Sequence, residues 1–231
     1  MDFSQILTDY PYKTELHAHS FPASPCAELT PDEVVQTYIA SGAHSLVLTN
    51  HLAPYNCSEG VEHYLDDYHK ALESAEDKLN VILGVEMRFT ENSNDYLVFG
   101  VCEDDIPYFV ELIPYGIENF YKQVKNERNV IIQAHPFRKN IVLAPEDAID
   151  GIESFNLHPN HNSKVGIGAR YAKLCGMLAT AGTDFHHKGH QALCLMRSKN
   201  EMKDSYDVAA AIKSRDVVFD CSGHIVIPYL Y

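Results

Sequence analysis

The sequence predicts an α/β protein whose strands surround one core in a single domain, residues 1–231. Short apolar runs alternate with helix-like runs, and no linker, repeat or low-complexity stretch separates them. Polar side chains of the types that bind metals follow the ends of several apolar runs. A length of 231 residues, 45% of them hydrophobic, suffices for one α/β barrel of ordinary size.

The strand-like runs are mostly short, apolar and β-branched, as fully buried parallel strands are. Repeated strand–helix units in one chain favour a parallel sheet, either open or closed into a barrel. We predict strands over 12–17, 45–50, 81–89, 96–101, 130–134, 151–156, 177–183, 217–221 and 225–230.

Helix signals lie between these runs. Thr30, Pro31 and Glu33 form a capping-box pattern with proline at the first helical position, and Gly42 predicts the end of that helix. Apolar residues recur at helical spacing from Val61 to Leu79, which predicts a second helix. Further helices are predicted over 115–128, 163–176 and 205–214.

Composition excludes several classes of protein. A net charge of −14 gives no attraction to long nucleic acid or to an anionic membrane, and no apolar run is long enough to span a bilayer. The first residues show no signal-peptide pattern, and the 6 cysteines form no CxxC pair, so we expect a cytoplasmic protein with reduced thiols. The 13 histidines, together with excess carboxylates, indicate bound divalent metal.

The candidate metal-binding residues lie at or just after predicted strand ends. In a barrel of parallel strands these ends meet at one face, whereas an open sheet would spread them along a line, so convergence favours a barrel. Histidines two positions apart on a strand point to the same side, and a buried glutamate needs a partner that a metal ion supplies. The residues are His17, His19, His51, Glu86, His135, Asp184 and His186.

The motifs that carry these residues are HAHS at 17–20, TNH at 49–51, GVE at 84–86, AHPFR at 134–138 and GTDFH at 182–186. In order and approximate spacing they resemble the PHP (polymerase and histidinol phosphatase) domain, specifically its small stand-alone members. The resemblance implies a distorted (β/α)7 TIM-like barrel that holds two or three divalent transition metals. It also implies phosphoester hydrolysis, and the ligand types suit Zn, Mn or Fe without choosing among them.

Carried over by position, the resemblance assigns His17, His19, Glu86 and Asp184 to one metal. Glu86 would bridge to a second metal that is also held by His135, and a third metal would lie between His51 and His186. Two further positions are candidates because the family often has a ligand there. They are Cys26, after the first histidine pair, and Asp95, after Glu86.

Substrate residues follow from the AHPFR motif and from the segment Asn156–His161, which resembles a segment near the active site in related proteins. Arg138 could clamp a phosphate bidentately or form a salt bridge at the rim, and His161 and Asn156 are expected near the substrate. A hydroxide held between two ions would attack phosphorus, and His186 or a metal-bound water would protonate the leaving group. The expected substrate is a small phosphorylated metabolite or nucleotide.

Two other functions stay open at this point. An amidohydrolase also uses a barrel with an HxH pair and a late aspartate, although no lysine at a strand end is suited to carbamylation. A non-catalytic metal-binding scaffold is the second alternative. The sequence does not predict the substrate, the metal or the oligomeric state.

Overall fold

The structure, a computed structural model, describes residues 3–57 and 62–229. Val61 and Leu230, which the sequence predicts to lie in a helix and a strand, fall outside these residues. The strands are β1 (Tyr12–Ala18), β2 (Ser45–Leu48), β3 (His51–Leu52), β4 (Asn80–Leu83), β5 (Val85–Arg88), β6 (Asp95–Phe99), β7 (Val130–Gln133), β8 (Gly151–Asn156), β9 (Leu178–Gly182), β10 (Cys194–Ser198), β11 (Val218–Cys221) and β12 (His224–Val226).

The α-helices lie between the strands and at the beginning of the described chain. They are α1 (Phe3–Asp9), α2 (Pro31–Ser41), α3 (Glu62–Ala75), α4 (Ile106–Leu112), α5 (Gly116–Val124), α6 (Val165–Leu174) and α7 (Ser205–Ser214). None of them is long and apolar enough to cross a membrane. Helix α2 begins as predicted, since the Thr30 amide donates to Glu33 Oε2 at 3.0 Å, and it ends at Gly42 in the left-handed region with φ +73°.

The strands form two six-stranded sheets. One has the order β12-β11-β10-β1-β2-β4, and the other has the order β3-β5-β6-β7-β8-β9. Backbone hydrogen bonds connect them at two places. Near the ends of β2 and β4, the Gly84 amide donates to Leu48 O and the Glu86 amide donates to Asn50 O. At the other place, Phe185 pairs with Ala18 in an isolated parallel bridge.

The expected parallel arrangement holds for only part of the fold. Strand β6 runs antiparallel to β5 and β7, so the prediction of a parallel arrangement was wrong there. Strand β10, which the sequence did not predict, runs antiparallel to β1 and β11. The segment between Arg88 and Asp95 is too short for a parallel crossover, which needs a dozen or more residues. Because β6 is reversed, its first residue, Asp95, lies beside the end of β5.

Sequence patterns missed some elements and shifted others. Strand β10 and helices α1 and α4 were not predicted, and the predicted strand over 81–89 is divided at Gly84 into β4 and β5. A side chain at Gly84 would meet Val47 and Thr49 at 2.6 and 2.8 Å, so only glycine fits between these strands. The apolar core fills the space between sheets and helices, and polar residues are buried where the strands end.

Candidate metal centre

Four histidine rings surround the side chain of Glu86. Its Oε1 atom lies 3.2 Å from His17 Nε2 and 3.3 Å from His135 Nε2. Its Oε2 atom lies 3.3 Å from His19 Nε2 and 3.0 Å from His51 Nδ1. The rings come from β1 and the segment after it, from β3, and from the segment after β7. The fold therefore joins residues that are far apart in sequence.

The carboxylate of Asp184 also lies near two of these rings, those of His17 and His19. Its Oδ1 atom is 3.4 Å from His17 Nε2, 3.3 Å from His19 Nε2 and 3.3 Å from His186 Nδ1. Asp184 has a φ of +57° and His135 a φ of +31°, which are uncommon for residues with a Cβ. The chain turns sharply just after β9 and β7, and both side chains face the cluster.

Hydrogen bonds to the outer ring nitrogens fix two of the imidazoles. His17 Nδ1 donates to Glu153 Oε1 at 2.9 Å, and His186 Nδ1 donates to the carbonyl of Asp184 at 2.9 Å. Since carboxylate and carbonyl oxygens only accept, the ring protons lie on these Nδ1 atoms. The Nε2 atom of His17 therefore carries the lone pair whenever this ring is neutral, and the Nε2 atom of His186 is also available as a ligand.

Several atoms at the centre of this cluster are buried without any hydrogen-bond partner among the described residues. They are His17 Nε2, His19 Nε2, His51 Nδ1 and both carboxylate oxygens of Glu86. Leaving such groups unpaired costs about 1–3 kcal/mol each, so a missing partner is the natural explanation. Metal–ligand bonds of about 2.0–2.2 Å place neighbouring ligand atoms roughly 3.0–3.6 Å apart, which matches the separations around Glu86. The residues present therefore fit divalent metal ions.

The pKa values of three histidines agree with that fit, whereas those of Glu86 and His17 would change when a cation binds. Burial lowers the pKa of His19, His51 and His135 well below its usual value, so these rings are neutral and can offer lone pairs. Burial raises the pKa of Glu86 to about 8. Burial alone would lower the pKa of His17, but the carboxylates of Glu153, Asp184 and Glu86 raise it well above its usual value. A cation placed among these groups would favour ionised Glu86 and neutral His17.

Three groups of ligand atoms lie within 4.8 Å of one another. One contains His17, His19 and Glu86, another contains His51, Glu86 and Asp95, and the last contains His19, His51 and His186. Asp95 is oriented by Arg88, whose Nε and Nη2 atoms donate to its two oxygens at 2.7 and 2.6 Å. The structure thus brings together every residue that the sequence predicts as a ligand, including Asp95.

Arg138 and Asn156 lie beside Asp184, and their polar atoms contact protein groups. Arg138 Nη2 donates to Asp184 Oδ2 at 2.6 Å and to Asn156 Oδ1 at 2.5 Å, and its Nε donates to Ser163. The amide of Asn156 donates to Glu153 Oε2, and only 2% of Asn156 is exposed. Asn156 does not line the cavity above the cluster, contrary to its expected contact with substrate, because its polar atoms are already paired with protein groups.

A cavity of about 770 Å³ opens above Glu86 and Asp184. Its wall includes the predicted residues His161, Arg138 and Cys26. Lys139 and Lys164 also line it, and neither forms an ion pair within the described part of the chain. Arg88 and Arg138 are already paired with Asp95 and Asp184, so the two lysines are the cavity cations left to attract an anion.

Sequence reasoning missed three residues of this site. Glu15 is fully buried and accepts hydrogen bonds from the amides of His17 and Thr183. Glu153 contacts His17 from behind, and His158 lines the cavity. Both glutamates lie inside strands, as Glu86 does, but other polar residues flank them in β1 (YKTELHA) and β8 (GIESFN), so the apolar setting that marked Glu86 is weaker there.

The fold and the site define an α/β protein with a candidate centre for more than one metal ion. A profile of the PHP domain matches residues 15–222. The chain therefore belongs to the PHP domain family. No curated protein matches the sequence.

Solved structures share the fold at low sequence identity. One is a two-domain protein containing a predicted PHP-like metal-dependent phosphoesterase from Bacteroides vulgatus, with 16% identity and a TM-score of 0.64 over 90% of this chain. This chain spans 64% of that protein. A proposed metal-dependent phosphoesterase from Bifidobacterium adolescentis has 16% identity and a TM-score of 0.53, covering 87% of this chain and 95% of the other. An amidohydrolase from Chromobacterium violaceum, with bound sulfate, has 15% identity and a TM-score of 0.54. The match covers 76% of this chain and 88% of the other.

Proposed function

We propose that this protein is a metal-dependent phosphoesterase that hydrolyses a small phosphorylated metabolite or nucleotide. The observation that supports it best is the group of buried, unpartnered ligand atoms around Glu86 at the floor of a cavity with cationic walls. The first feature suits divalent metals, and the second suits an anionic substrate. Membership of the PHP domain family points to the same chemistry.

The ligands divide as the family pattern suggests. His17, His19, Glu86 and Asp184 would hold one ion, and Glu86 would link it to a second ion held with His135. His51 and His186 would hold a third ion. Asp95 would be a further ligand of an ion that Glu86 holds together with His51 or with His135. Bound Zn, Mn or Fe ions would neutralise the phosphate oxygens and lower the pKa of water.

The remaining groups of the site have roles that do not require metal contact. Lys139 and Lys164 draw the anionic substrate into the cavity and orient it. His158 Nδ1 accepts from the Asn160 amide at 3.1 Å, so its proton is on Nε2, from which it donates to a substrate oxygen. His161 packs against His158, with ring centroids 4.6 Å apart, and extends that wall. Arg138 and Asn156 position Asp184.

The proton for the leaving group comes from His186 or from water in this proposal. The ring of His186 is held by the Asp184 carbonyl and lies at the cavity wall. It can serve as a ligand through Nε2, and in that state the proton for the leaving group comes from water. Substrate analogues with a better leaving group should depend less on either proton donor.

We also propose that the two sheets together form the distorted (β/α)7 barrel of the family. Continuation of β2 into β3 and of β4 into β5, together with the Ala18–Phe185 bridge, supports a cyclic order of strands. The family likewise suggests one domain over the whole chain. A cytoplasmic location is proposed on the free state of all 6 cysteines.

The experiment is a substrate screen on protein purified without chelator. Phosphorylated metabolites, nucleotides and short oligonucleotides are supplied with Mn, Zn or Fe, and metal content is measured in parallel. We expect at least one bound ion per chain and turnover of a small phosphoester. Turnover of amides or lactones without phosphoesterase activity would favour the amidohydrolase, and bound metal without turnover of any substrate would favour the non-catalytic scaffold.

Glu86→Gln tests the carboxylate at the centre of this scheme. The amide keeps the shape but loses the charge and one good oxygen donor, so we expect loss of metal and a fall in turnover of about 10³-fold or more. Glu111→Gln is the matched control. Glu111 is exposed, lies in helix α4 and does not line the cavity. Full metal content with near-normal turnover in Glu86→Gln would contradict the proposed role.

A further inference from the structure

We propose that the Cys26 thiolate is a ligand of the metal position formed by His51 and His186, and that it makes this position prefer zinc over manganese. This inference rests on the proposed function, because it concerns the same metal centre. It adds a sulfur ligand that the histidine and carboxylate pattern of the family does not supply. Its evidence is the geometry around His186.

Cys26 lies at the cavity wall with its sulfur directed to His186. The Sγ atom is 3.2 Å from His186 Nε2. Because His186 Nδ1 donates to the Asp184 carbonyl, Nε2 carries the lone pair of this ring. The thiol therefore faces the ring atom that would bind a metal.

Two further nitrogen atoms point to a ligand at the same place. His19 Nε2 and His51 Nδ1 are buried and have no hydrogen-bond partner among the described residues. Ligand nitrogens of His19, His51 and His186 lie within 4.8 Å of one another. The ring of His19 lies 4.6 Å from that of His51 and 4.4 Å from that of His186, centroid to centroid. Cys26 lies outside this group of three and approaches it through His186.

The loop that carries Cys26 is fixed to these histidines on both sides. Before Cys26, Ser24 Oγ accepts from the His51 amide at 2.9 Å and lies 3.2 Å from His19 Nδ1. After it, the Glu28 amide donates to the carbonyl of His186 at 3.0 Å. The thiol is therefore held near the cluster by the backbone, so only its side-chain rotation remains to be fixed.

The chemistry of sulfur then sets the metal preference. Zinc binds thiolate at about 2.3 Å and imidazole at about 2.0–2.1 Å, which puts sulfur and nitrogen roughly 3.5 Å apart in a tetrahedral site, close to the distance between Cys26 and His186. Thiolate favours zinc, whereas manganese prefers oxygen ligands. Binding converts the thiol to a thiolate and releases its proton to water, so no oxidant or reductant takes part.

Cobalt(II) titration of the full-length, metal-stripped protein is the test. A sulfur-to-cobalt charge-transfer band in the near ultraviolet is expected for the wild type and for the control Cys102→Ser. The thiol of Cys102 is exposed and donates a hydrogen bond to Asp105. Cys26→Ser should bind cobalt without this band, and its zinc affinity should fall by about tenfold or more while its manganese affinity is kept.

Cys26→Asp provides a second variant with an oxygen ligand in place of sulfur. It should retain metal and lose much of the preference for zinc over manganese. Cobalt binding without a sulfur band in the wild type, or an unchanged band in Cys26→Ser, would overturn the inference while leaving the proposed function intact. A sulfur band in a protein that hydrolyses no phosphoester would leave the inference standing and remove the proposed function. A chain that binds no cobalt, zinc or manganese would remove both.

Discussion

Glu153 holds two candidate ligands in place from behind the cluster. Its Oε1 atom accepts from His17 Nδ1 at 2.9 Å, and its Oε2 atom accepts from the His135 amide at 3.0 Å and from the Asn156 side chain at 2.9 Å. The same carboxylate therefore sets the orientation of the His17 ring and supports the left-handed backbone of His135. Such outer partners of metal-binding histidines commonly matter nearly as much as the ligands.

Glu153→Gln should weaken metal binding without removing any ligand. Both oxygens of Glu153 face N–H groups, so the amide nitrogen of glutamine would place a donor against a donor on one side. We expect a loss of about 10–100-fold in metal affinity and about 1–3 kcal/mol in the free energy of unfolding. Competition with a chromophoric chelator measures the metal affinity, and urea unfolding measures the free energy of unfolding.

Glu111→Gln serves again as the matched control, and it should change neither quantity. An unaltered metal affinity in Glu153→Gln would show that the hydrogen bond to His17 does not govern ligation.

For single residues, the sequence was most informative where ligands recur at a fixed spacing, as His17 and His19 do. It did not predict the contacts of Asn156, whose side-chain oxygen accepts from Arg138, because the fold and not the neighbouring sequence makes that contact.

Strand direction explains how Asp95 reaches the cluster. A parallel β6 would have brought its last residue, Phe99, to the edge where Arg88 ends β5. The reversed strand instead places Asp95 opposite Arg88, with which it pairs in the β5–β6 ladder. The sequence could suggest Asp95 as a candidate by position, but strand direction depends on the connection and not on the apolar pattern.

Gly182, the last residue of β9, is where the strand passes closest to the cluster. An added Cβ would lie 2.6 Å from both Glu153 Oε1 and His17 Cβ, and neither can move without disturbing a hydrogen bond between them. Gly182→Ala should therefore cost about 1–3 kcal/mol in the free energy of unfolding and reduce metal affinity. Thermal unfolding and metal titration check both effects.

Gly166→Ala is the control for that substitution. Gly166 lies in α6 with no atom within 4 Å of the added Cβ, so alanine there should leave metal binding unchanged and stabilise the helix by up to about 1 kcal/mol. Normal metal affinity in Gly182→Ala would show that the site tolerates a shifted strand. A similar loss in both variants would point to a general effect of the substitution.

Strand β10 shows why some elements were missed. Its sequence, CLMRS, includes Arg197, which reads as a surface residue but is only 8% exposed. Arg197 Nε donates to Asp220 Oδ2 at 2.8 Å, so the charge is satisfied across the neighbouring strand β11. The apolar pattern of a single run cannot show such a partner. Strand β8, by contrast, was predicted at its observed bounds, 151–156.

The charge of the whole molecule is distributed unevenly relative to the cavity. The chain has a net charge of −14, yet four cations, Arg88, Arg138, Lys139 and Lys164, line the cavity beside three carboxylates, Glu86, Asp95 and Asp184. Long polyanions meet a repulsive surface, whereas a small anion can enter and meet the unpaired lysines. Overall charge could be read from the sequence, but this concentration of cations depends on the packing of loops from distant segments.

Duplex DNA should therefore bind weakly or not at all at physiological salt. Fluorescence anisotropy of a labelled duplex provides the measurement, with a small phosphorylated substrate from the screen as the positive control. The repulsion comes from unpaired acidic surface, so lowering the salt concentration should not produce a tight complex. A tight, salt-sensitive complex with DNA would contradict the restriction to small anions.

The spacing of the candidate ligands along the chain has a consequence for folding. They begin at His17 and end at His186, and they come from both sheets. An ion bound among them would join the two ends of most of the polypeptide, as a long-range cross-link does. Chelation would then remove a tether as well as a cofactor, and the chain would lose the loop closure that the ion provides in addition to its individual metal–ligand bonds.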